Sequence, residues 1–491
     1  MSHGPSLPRD GRLPRTGCVD VARLTAGFDR FDRLDLATHL AVHGELPRLG
    51  ATDLVALAED VKLRGRGGAG FPFARKLSAV SESVQRRRVQ PVIVVNATEG
   101  EPAAWKDKVL LARAPHLILD GATLAATALR AEEVVIGVAD EGPRGAMSLR
   151  RAIAERSTAF PMRVVLMPAR FISGEGGALV RGIDGALPIP PGRKVLASDM
   201  GVKGAPTLLS NAETFAQLAT AARLGPRGYA AVGEADEPGT VMLSVFGAAA
   251  SPAVLEVPTG TPLEEVLSLC QSPPGPVLLG GYHGGFAGAA AAGVARVSRN
   301  GFSEAGGALG AGIVLPLGDV TCPVGEADRV LRYLARESAG QCGPCRLGLP
   351  DLARVLGAVA DGSATPEAVR AAAAAVRGRG ACSHPDGAGR FALSAVTAFH
   401  DDIAVHRRRG GCGRPVLGVL PLPGAAGPTL SVDWARCDGH GLCAHVAPEL
   451  IQLDANGFPT LPSGALPDWL LTPAKRAVRM CPALALRMSS G

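Results

Sequence analysis

The stretch "PVIVVNATEGEP" (91–102) decides how the first half of the chain folds. An apolar, β-branched run of this length is typical of a buried strand, and it ends in a polar turn that carries Asn96, Glu99 and Glu101. Two more apolar runs (133–140 and 162–169) follow, separated by helical patterns over 117–131 and 144–156. This alternation predicts an α/β domain with a mostly parallel sheet. Ligands bind at the carboxyl ends of such strands, so the polar turn is a candidate site.

Three glycine-rich or polar segments accompany this turn: "LRGRGGAGFPFARK" (63–76), "FISGEGGALVRGIDG" (171–185) and "GVKGAPTLLSNAET" (201–214). Gly65 and Gly67 in the first segment have no Cβ, so the backbone there can approach a phosphate or a flat ring. Lys76 is placed to meet a phosphate as a point charge. By themselves these segments are equally compatible with ordinary loops and a solvated acidic turn.

Composition narrows the class of protein. The chain has 491 residues, of which 47% are hydrophobic and 20% charged, so we expect a folded protein of about three domains. The net charge of +6 is small and the basic residues are scattered, which argues against nucleic-acid binding. No apolar run reaches about 18 residues, so direct membrane insertion is not expected. The polar start of the chain does not resemble a secretory leader, and a cytoplasmic location is expected.

The pattern of elements divides the chain into six segments. We expect an N-terminal helical extension (1–44), an α/β domain (45–235), a β-grasp-like unit with one helix (236–322), a helical domain (323–407), a Gly/Pro linker (408–428) and a compact tail (429–491).

The cysteines indicate metal or cluster binding in the last third of the chain. The candidates, in short local patterns, are Cys342, Cys345, Cys382, Cys437, Cys443 and Cys481. In the tail, Cys437, His440 and Cys443 are evenly spaced, and a Cys-Pro follows at Cys481. That set suits either an iron–sulfur cluster or a structural zinc ion. The remaining cysteines, which we expect to be ordinary thiols, are Cys18, Cys270, Cys322 and Cys412.

Residues 45–405 resemble the NADH-binding flavoprotein subunit of respiratory complex I and its relatives in soluble hydrogenases and formate dehydrogenases. The resemblance rests on "GRGGAGFP", "NATEGEP", "SGEGGAL", "KGAPTLLSNAET" and "ESAGQCGPCRLG", in this order. The tail resembles single-cluster bacterial ferredoxins. The implied fold is α/β multidomain: a Rossmann-like FMN/NADH domain, a β-grasp-like (SLBB) unit, a helical iron–sulfur domain and an α+β ferredoxin.

The resemblance also implies roles for residues. The FMN phosphate and ribityl chain would be held by Gly65, Gly67 and Lys76. The flavin would be contacted by Asn96, Glu175, Ser210 and Asn211, with Glu99 as a further acceptor for hydroxyl groups. The dinucleotide would be bound by Phe71, Glu101 and Lys203, with Phe71 stacked on adenine. Hydride transfer to a flavin needs orientation rather than acid–base chemistry, so no catalytic base is expected.

Three positions depart from the family pattern. Thr98 replaces an Asp, Gly176 replaces the second of two glutamates, and Ala339 replaces the first cysteine of the cluster motif. Loss of a carboxylate near the adenosine ribose predicts a preference relaxed toward NADPH, or weaker nucleotide binding.

The cluster motifs leave several outcomes open. For the cluster of Cys342, Cys345 and Cys382, these are a three-iron cluster, a replacement ligand (Cys322 or Cys412) and complete loss. For the tail, a [3Fe–4S] cluster and a [4Fe–4S] cluster with His440 on the fourth iron are favoured over zinc.

The resulting hypothesis is an oxidoreductase that passes electrons from NAD(P)H through FMN and one or two clusters to a one-electron acceptor. The acceptor would be a cytochrome P450, another oxygenase or a partner subunit. Two alternatives are a non-catalytic electron-transfer subunit with a decayed nucleotide site, and a subunit of a hydrogenase, formate dehydrogenase or complex I-like assembly. The oligomeric state is not determined by these patterns.

Overall fold

The computed structural model describes residues 12–140, 143–192, 195–423, 428–434, 436–461, 466 and 468–489. Its strands are β1 (Arg15–Cys18), β2 (Val92–Ala97), β3 (Glu133–Ala139), β4 (Met162–Met167), β5 (Thr207–Asn211), β6 (Gly233–Glu234), β7 (Glu237–Pro238), β8 (Thr240–Val245), β9 (Ala253–Pro258), β10 (Val277–Leu279), β11 (Gly285–Ala287), β12 (Ile313–Pro316), β13 (Thr429–Val432), β14 (Gln452–Leu453), β15 (Pro459–Thr460) and β16 (Leu486–Ser489). Its helices are α1 (Leu36–His43), α2 (Ala51–Asp60), α3 (Phe73–Arg87), α4 (Lys106–Arg113), α5 (Pro115–Leu129), α6 (Pro143–Ala154), α7 (Gly176–Ile183), α8 (Ala212–Tyr229), α9 (Leu263–Leu269), α10 (Ala289–Val294), α11 (Arg299–Glu304), α12 (Pro323–Arg336), α13 (Leu349–Ala360), α14 (Pro366–Val376), α15 (His384–Ala398), α16 (His400–Arg409), α17 (Leu442–Val446) and α18 (Asp468–Met480).

A four-stranded parallel sheet in the order β4-β3-β2-β5 forms the centre of the α/β domain. Ile93 and Val95 of β2 pack into the large core shared with α3, α5 and α8. Val92 and Val94 alternate with them and face a smaller core that includes Leu179 of α7. Both faces of the sheet are therefore covered, which explains the continuous apolar runs, and the predicted parallel sheet is confirmed.

The second sheet has six strands in the order β1-β9-β8-β12-β10-β11, with parallel and antiparallel pairs. Its first strand comes from the N-terminal segment, since β1 pairs in parallel with β9. The expectation of a peripheral helical extension over 1–44 is wrong in this respect: residues 15–18 are a strand, and Leu24 and Leu34 are completely buried. Residues 1–11 of that segment lie outside the described part. Residues 15–18 form a strand because they pair with β9, which lies far away along the chain.

Helices α12 to α16 form the helical region, and α13 is preceded by a single π-helical turn, Pro344–Gly348. The segment after α16 is anchored to the beginning of α12. The Glu326 carboxylate accepts hydrogen bonds from the backbone N–H groups of Gly418 (2.6 Å), Val419 and Leu420. The first part of the predicted linker is therefore held in place, while residues 424–427 lie outside the described part of the chain.

The chain divides into two compact units. One comprises Met1–Met167 and Phe171–Pro421, and the other comprises Leu422–Gly491 with Pro168–Arg170. In the tail, β13 pairs antiparallel with β16, and a separate core includes Leu430, Ala447 and Ala474.

Among the described helices, no single one is both long and apolar enough to cross a membrane. One bent pair, α4 with α5, meets the criterion of length and composition only when its two helices are taken together.

Candidate functional site

Two asparagines meet at the carboxyl edge of the parallel sheet. Asn96 of β2 and Asn211 of β5 are paired in register, so their side chains lie on the same face. The Nδ2 of Asn96 donates to the Gly174 carbonyl at 2.9 Å. The Oδ1 of Asn211 accepts from the Glu213 N–H at 3.0 Å and thereby caps α8. Three segments that the sequence analysis selected separately are thus brought to one edge.

The glycine loop, residues 64–72, also reaches this edge. The Gly65 N–H donates to the Phe71 carbonyl at 2.9 Å, which closes the loop on itself. A Cβ on Gly67 would lie 3.1 Å from the Cβ of Asn211. The close approach of the loop to Asn211 therefore favours a residue without a side chain at this position, since a Cβ would be tighter than most contacts of this kind.

Arg299 at the start of α11 supports the glycine loop. Its Nη2 donates to the Gly65 carbonyl at 2.9 Å, and its Nε lies 3.1 Å from the Glu237 carboxylate. Gly70 has a φ of +61°, and a Cβ there would lie 2.3 Å from Nη1 of Arg299. Burial and the neighbouring Arg66 lower the pKa of Arg299 to about 10, which leaves it charged at neutral pH. Arg299 could not be predicted as a site residue from the sequence, because nothing in its neighbourhood along the chain marks it.

A buried charge cluster lies under the two asparagines. The ammonium group of Lys106 is 2.9 Å from the Asp107 carboxylate, 3.0 Å from the Glu213 carboxylate and 3.0 Å from Oδ1 of Asn211. Lys106, Asp107 and Glu213 are each about 1% exposed. Burial opposes the charge on Lys106, but the neighbouring carboxylates outweigh it and raise its pKa. This cluster was also missed, although a Lys-Asp pair directly after the polar turn and before an apolar helix was a usable signal.

The two glutamates of the polar turn have different partners. Glu99 is buried and accepts from the N–H groups of Asp107 (3.0 Å) and Lys108 (2.9 Å), so it holds the beginning of α4. Burial and the Asp107 carboxylate raise the pKa of Glu99 to about 7. Glu101 is half-buried and accepts from the Tyr282 N–H at 2.6 Å, and burial raises its pKa to about 8.

Glu101 should make the folded protein less stable as the pH rises. Its usual pKa of 4.5 applies in the unfolded chain, whereas its pKa in the folded protein is about 8, so between these values the folded state carries the extra proton. Stability is then greatest at the acidic end of this window and falls as the pH rises through it. Because part of Glu101 reaches solvent, we expect a loss of about 1–3 kcal/mol. Thermal unfolding of wild type and Glu101→Gln across the window should show a smaller slope in the variant, the remainder coming from Glu99. Equal slopes would contradict this assignment.

Phe71 and Lys76 lie on either side of the turn into α3. The ring of Phe71 is 46% exposed and is available for stacking on a planar ligand. Lys76 is half-buried, and its Nζ donates to the Leu209 carbonyl of β5 at 3.0 Å. Burial lowers the pKa of Lys76.

The N-terminus of α7 contributes Glu175, whose carboxylate accepts from the Ala178 N–H at 2.9 Å. Burial raises the pKa of Glu175. A Cβ on the neighbouring Gly176 would meet only Leu209 side-chain carbons, at 3.7 and 3.8 Å. Packing therefore does not exclude a side chain at Gly176, where the family has a glutamate.

Ser173 and Ser210 have buried hydroxyl groups without a hydrogen-bond partner within the described residues. Strand alternation places Ser210 on the face opposite to Asn211, so it approaches the edge from the side of the large core. Unused buried hydroxyls, together with a glycine loop pressed against Asn211, fit a polar cofactor such as FMN at this edge.

The structure does not bring Lys203 to this site. Its Nζ lies 3.5 Å from the carboxylate of Glu133, the first residue of β3. Glu133 pairs in register with Val92, at the amino end of β2. The carboxyl edge is about 13 Å away, at about 3.3 Å per residue along the strand. In the structure Lys203 therefore lies apart from Glu101, and its role in binding the dinucleotide stays a prediction.

The cysteines of the helical region converge near the same edge. Burial and the neighbouring Cys342 and Cys382 thiols raise the pKa of Cys345 to about 12. Burial and the Glu175 carboxylate are the main causes that raise the pKa of Cys382 to about 11. Cys342 and Cys382 thus lie near enough to Cys345 to influence its thiol, and Glu175 lies near enough to influence that of Cys382. Ala339 offers no ligand atom, so a cluster at this place would have three cysteine ligands.

A replacement ligand from Cys322 or Cys412 does not fit this arrangement. Cys322 is the N-cap of α12, whereas Ala339 lies beyond the other end of that helix. A helix of this length separates them by about 20 Å. Cys412 lies beside Cys322, not beside the three converging thiols. This alternative from the sequence analysis is wrong.

One cavity in the tail is lined by all four predicted ligands, Cys437, His440, Cys443 and Cys481. The glycines on either side of His440 both have a φ of +69°, which turns the chain around this residue. The Ala485 N–H donates to the Sγ of Cys481 at 3.3 Å, an interaction typical of cluster-binding loops. The cavity thus has sulfur and imidazole groups in its lining that could hold a metal cluster, with Cys443 buried and His440 exposed to solvent.

Comparison with known protein families gives three matches in this chain. Residues 58–220 match the Nuo51 FMN-binding domain, and residues 325–406 match the NADH-ubiquinone oxidoreductase-F iron–sulfur binding region. Residues 430–488 match the 4Fe–4S single cluster domain. The three matches cover the parallel-sheet edge, the converging thiols of the helical region and the cavity of the tail.

Several curated relatives are NADH-quinone oxidoreductase F subunits. The chain is 28% identical over 381 residues to the F subunit of Salmonella typhimurium, which covers 73% of this chain and 85% of the relative. It is 27% identical over 384 residues to one of the F subunits of Rhizobium meliloti, designated F 2, which covers 73% and 90% respectively.

Solved structures show the same likeness. An NAD+-reducing [NiFe]-hydrogenase in the H2-reduced state matches with a TM-score of 0.64 and 26% identity. That match covers 76% of this chain but only 63% of the hydrogenase chain. The chain therefore contains an Nuo51-type FMN-binding domain, an NADH-ubiquinone oxidoreductase-F iron–sulfur binding region and a 4Fe–4S single cluster domain, and over most of its length it is similar to NADH-quinone oxidoreductase F subunits.

Proposed function

We propose that the chain oxidises NADH, and also NADPH, at an FMN held at the carboxyl edge of the parallel sheet, and passes the electrons to iron–sulfur clusters. The observation that carries this proposal is the registered pair of Asn96 and Asn211, onto which the glycine loop and the segment before α7 both close. When bound, FMN accepts a two-electron hydride and releases electrons singly, which iron–sulfur carriers require.

The residues at this edge of the sheet would bind FMN and orient its ring. Gly65, Gly67 and Lys76 would hold the phosphate and ribityl chain, because a ligand can approach the backbone closely where there is no Cβ and Lys76 adds a cation. Asn96 and Asn211 would meet the ring with their amides, assisted by Glu175 and Ser210. The buried Lys106 positions Asn211, and Glu99 positions the start of α4.

Nucleotide binding would use the exposed ring of Phe71 and the carboxyl group of Glu101. Gly176 leaves space where a second carboxylate would repel the 2′-phosphate of NADPH. We therefore propose a relaxed preference between NADH and NADPH.

The relay would continue through Cys342, Cys345 and Cys382. The effect of the Glu175 carboxylate on the pKa of Cys382 supports this order, since Glu175 is also one of the residues proposed to contact the flavin. Three cysteines suit a three-iron cluster, or a four-iron cluster whose fourth iron takes a ligand from outside the cysteine set.

The tail would hold a second cluster on Cys437, Cys443 and Cys481. We propose iron in place of zinc here, on the strength of the match to a 4Fe–4S domain. His440 lines the same cavity and would complete a four-iron cluster.

The acceptor would be a redox subunit or another one-electron protein partner in the cytoplasm. Relatives named as subunits of a quinone oxidoreductase favour a partner subunit. A cytochrome P450 or an oxygenase remains a proposal that rests only on the likeness of the tail to ferredoxins.

Anaerobic titration of the purified protein tests the proposed function. NADH and NADPH should each bleach the flavin absorbance, with rates that differ by less than about 100-fold, since one missing charge contact contributes a few kcal/mol at most. Electron paramagnetic resonance should then show that the signals of the iron–sulfur clusters change as the flavin is reduced. A flavin that neither nucleotide reduces would overturn the proposal in favour of a non-catalytic electron-transfer subunit. Strict preference for NADH would remove the relaxed specificity.

A further inference from the structure

Two cysteines that the relay does not use meet a histidine in the helical region. The Sγ atoms of Cys322 and Cys412 and a ring nitrogen of His406 all lie within 4.8 Å of one another. Cys322 caps α12, His406 lies in the last turn of α16, and Cys412 lies in the glycine-rich segment that follows. Cys322 and His406 are buried and Cys412 is half-buried. The set thus joins two distant parts of the chain, the start of α12 and the stretch from the end of α16 to Cys412.

The orientation of His406 suits metal binding. Its Nδ1 is hydrogen-bonded to the Ala360 carbonyl, which requires the proton to be on Nδ1 and leaves a lone pair on Nε2. That Nε2 faces the Sγ of Cys322 at 3.3 Å. A carbonyl that fixes the tautomer of a ligating histidine is the usual outer partner in metal sites.

Hydrogen bonds also fix the position of Cys322. Its Sγ accepts a hydrogen bond from the Gly325 N–H at 3.3 Å, in the first turn of α12, and is thereby held in position. The Cys322 N–H donates to the Pro415 carbonyl at 2.8 Å, which ties this residue to the segment that carries Cys412.

The segment that carries Cys412 is held in place by contacts with two other parts of the chain. Arg414 is paired with Asp402 of α16 and donates to the Asp319 carbonyl at 3.3 Å. Gly413 adopts a φ of +78°, which turns the chain directly after Cys412. The loop is therefore held at α16 and at the segment before α12 without any ion.

We propose that Cys322, His406 and Cys412 form a site for a thiophilic divalent cation of the zinc class, separate from the two cluster sites. Two sulfurs and an imidazole nitrogen favour Zn2+ over Mg2+ or Ca2+. Zinc bonds of ordinary length place neighbouring sulfur and nitrogen ligands about 3.5 Å apart, close to the separation of Cys322 and His406. The half-buried Cys412 leaves a fourth position for a water molecule. The ion would join the start of α12, the end of α16 and the segment that leads out of the helical region.

Metal analysis of the purified full-length protein tests this site. Wild type should contain about one zinc per chain in addition to iron, and Cys412→Ser should lose at least about nine-tenths of that zinc, because it removes one of three ligands. Iron content and flavin content should not change. Cys18→Ser, which alters an exposed cysteine outside the set, should keep its zinc.

A second readout uses cobalt. Co2+ added to the metal-depleted protein should produce a thiolate-to-cobalt absorption band that is present in Cys18→Ser and absent from both Cys412→Ser and His406→Gln. Zinc that stays in Cys412→Ser, or zinc and the cobalt band both missing from wild type, would overturn the proposal. A Cys322–Cys412 disulfide found by peptide mapping of the freshly prepared protein would do the same.

Discussion

Replacing Lys106 by Met should lower the free energy of unfolding of the chain by about 3–5 kcal/mol. The ammonium group of Lys106 lies within 3.0 Å of both the Asp107 and the Glu213 carboxylates, and all three side chains are buried. Methionine fills the space but leaves two carboxylates without their cation. The cost of burying unpaired charge, rather than the loss of an attraction, produces the large effect.

Chemical denaturation followed by circular dichroism measures this change. The matched control is Lys62→Met, because Lys62 also forms an ion pair, with Asp236 at 3.1 Å, but both side chains are exposed to solvent. That control should lose no more than about 1 kcal/mol. If the two variants were destabilised equally, the buried cluster would not have the importance that we assign to it. Because Lys106 also contacts Asn211, its variant should bind FMN weakly even where it remains folded.

Gly70→Val should weaken FMN binding by about 30- to 1,000-fold, equivalent to about 2–4 kcal/mol. Gly70 has a φ of +61°, a conformation that costs an L-residue about 1–2 kcal/mol. In addition, a side chain there would displace the guanidinium of Arg299 from the Gly65 carbonyl and from Glu237. The loop would then move away from the edge where Asn211 lies.

Titration of the flavin-free protein with FMN, followed by quenching of flavin fluorescence, gives the affinity. Gly378→Val is the control, since Gly378 has a φ of +69° and a Cβ there would meet no atom within 4 Å. It carries the same backbone strain without the contact to Arg299, and it lies in the helical region, so its FMN affinity should equal that of wild type. An unchanged affinity in Gly70→Val would show that the position of the loop does not depend on Arg299.

Local sequence patterns were sufficient to predict the parallel sheet and the edge of the sheet at which the candidate site lies. The residues before Asn96 are apolar because both faces of β2 are covered. Such an apolar run is visible in a short stretch of sequence, so the strand could be predicted. The parallel pairing of β2 with β5 then brought Asn96 and Asn211 side by side. Gly67 was also a useful signal, since the glycine loop comes close to Asn211 at this position.

Contacts between distant parts of the chain account for what the sequence analysis missed or placed wrongly. β1 became a strand because β9, more than 200 residues away, offered an open edge. Arg299 of α11 reaches the glycine loop although it lies far away along the chain. The side chain of Lys203 contacts Glu133 at the amino ends of the strands, whereas Asn211 lies at their carboxyl ends. None of these directions follows from the spacing of residues along the chain.

The sequence by itself determined the order of the modules, the parallel sheet and the identity of the thiols that belong to cluster motifs. These follow from periodicity, from ordered motifs and from short cysteine spacings, all of which are local. Only the tertiary structure decided which residues meet: the charge cluster on Lys106, the support of the loop by Arg299, and the meeting of Cys322, His406 and Cys412. Those three residues looked ordinary along the chain, and packing of α12 against α16 and the following segment places their ligand atoms within reach of one ion.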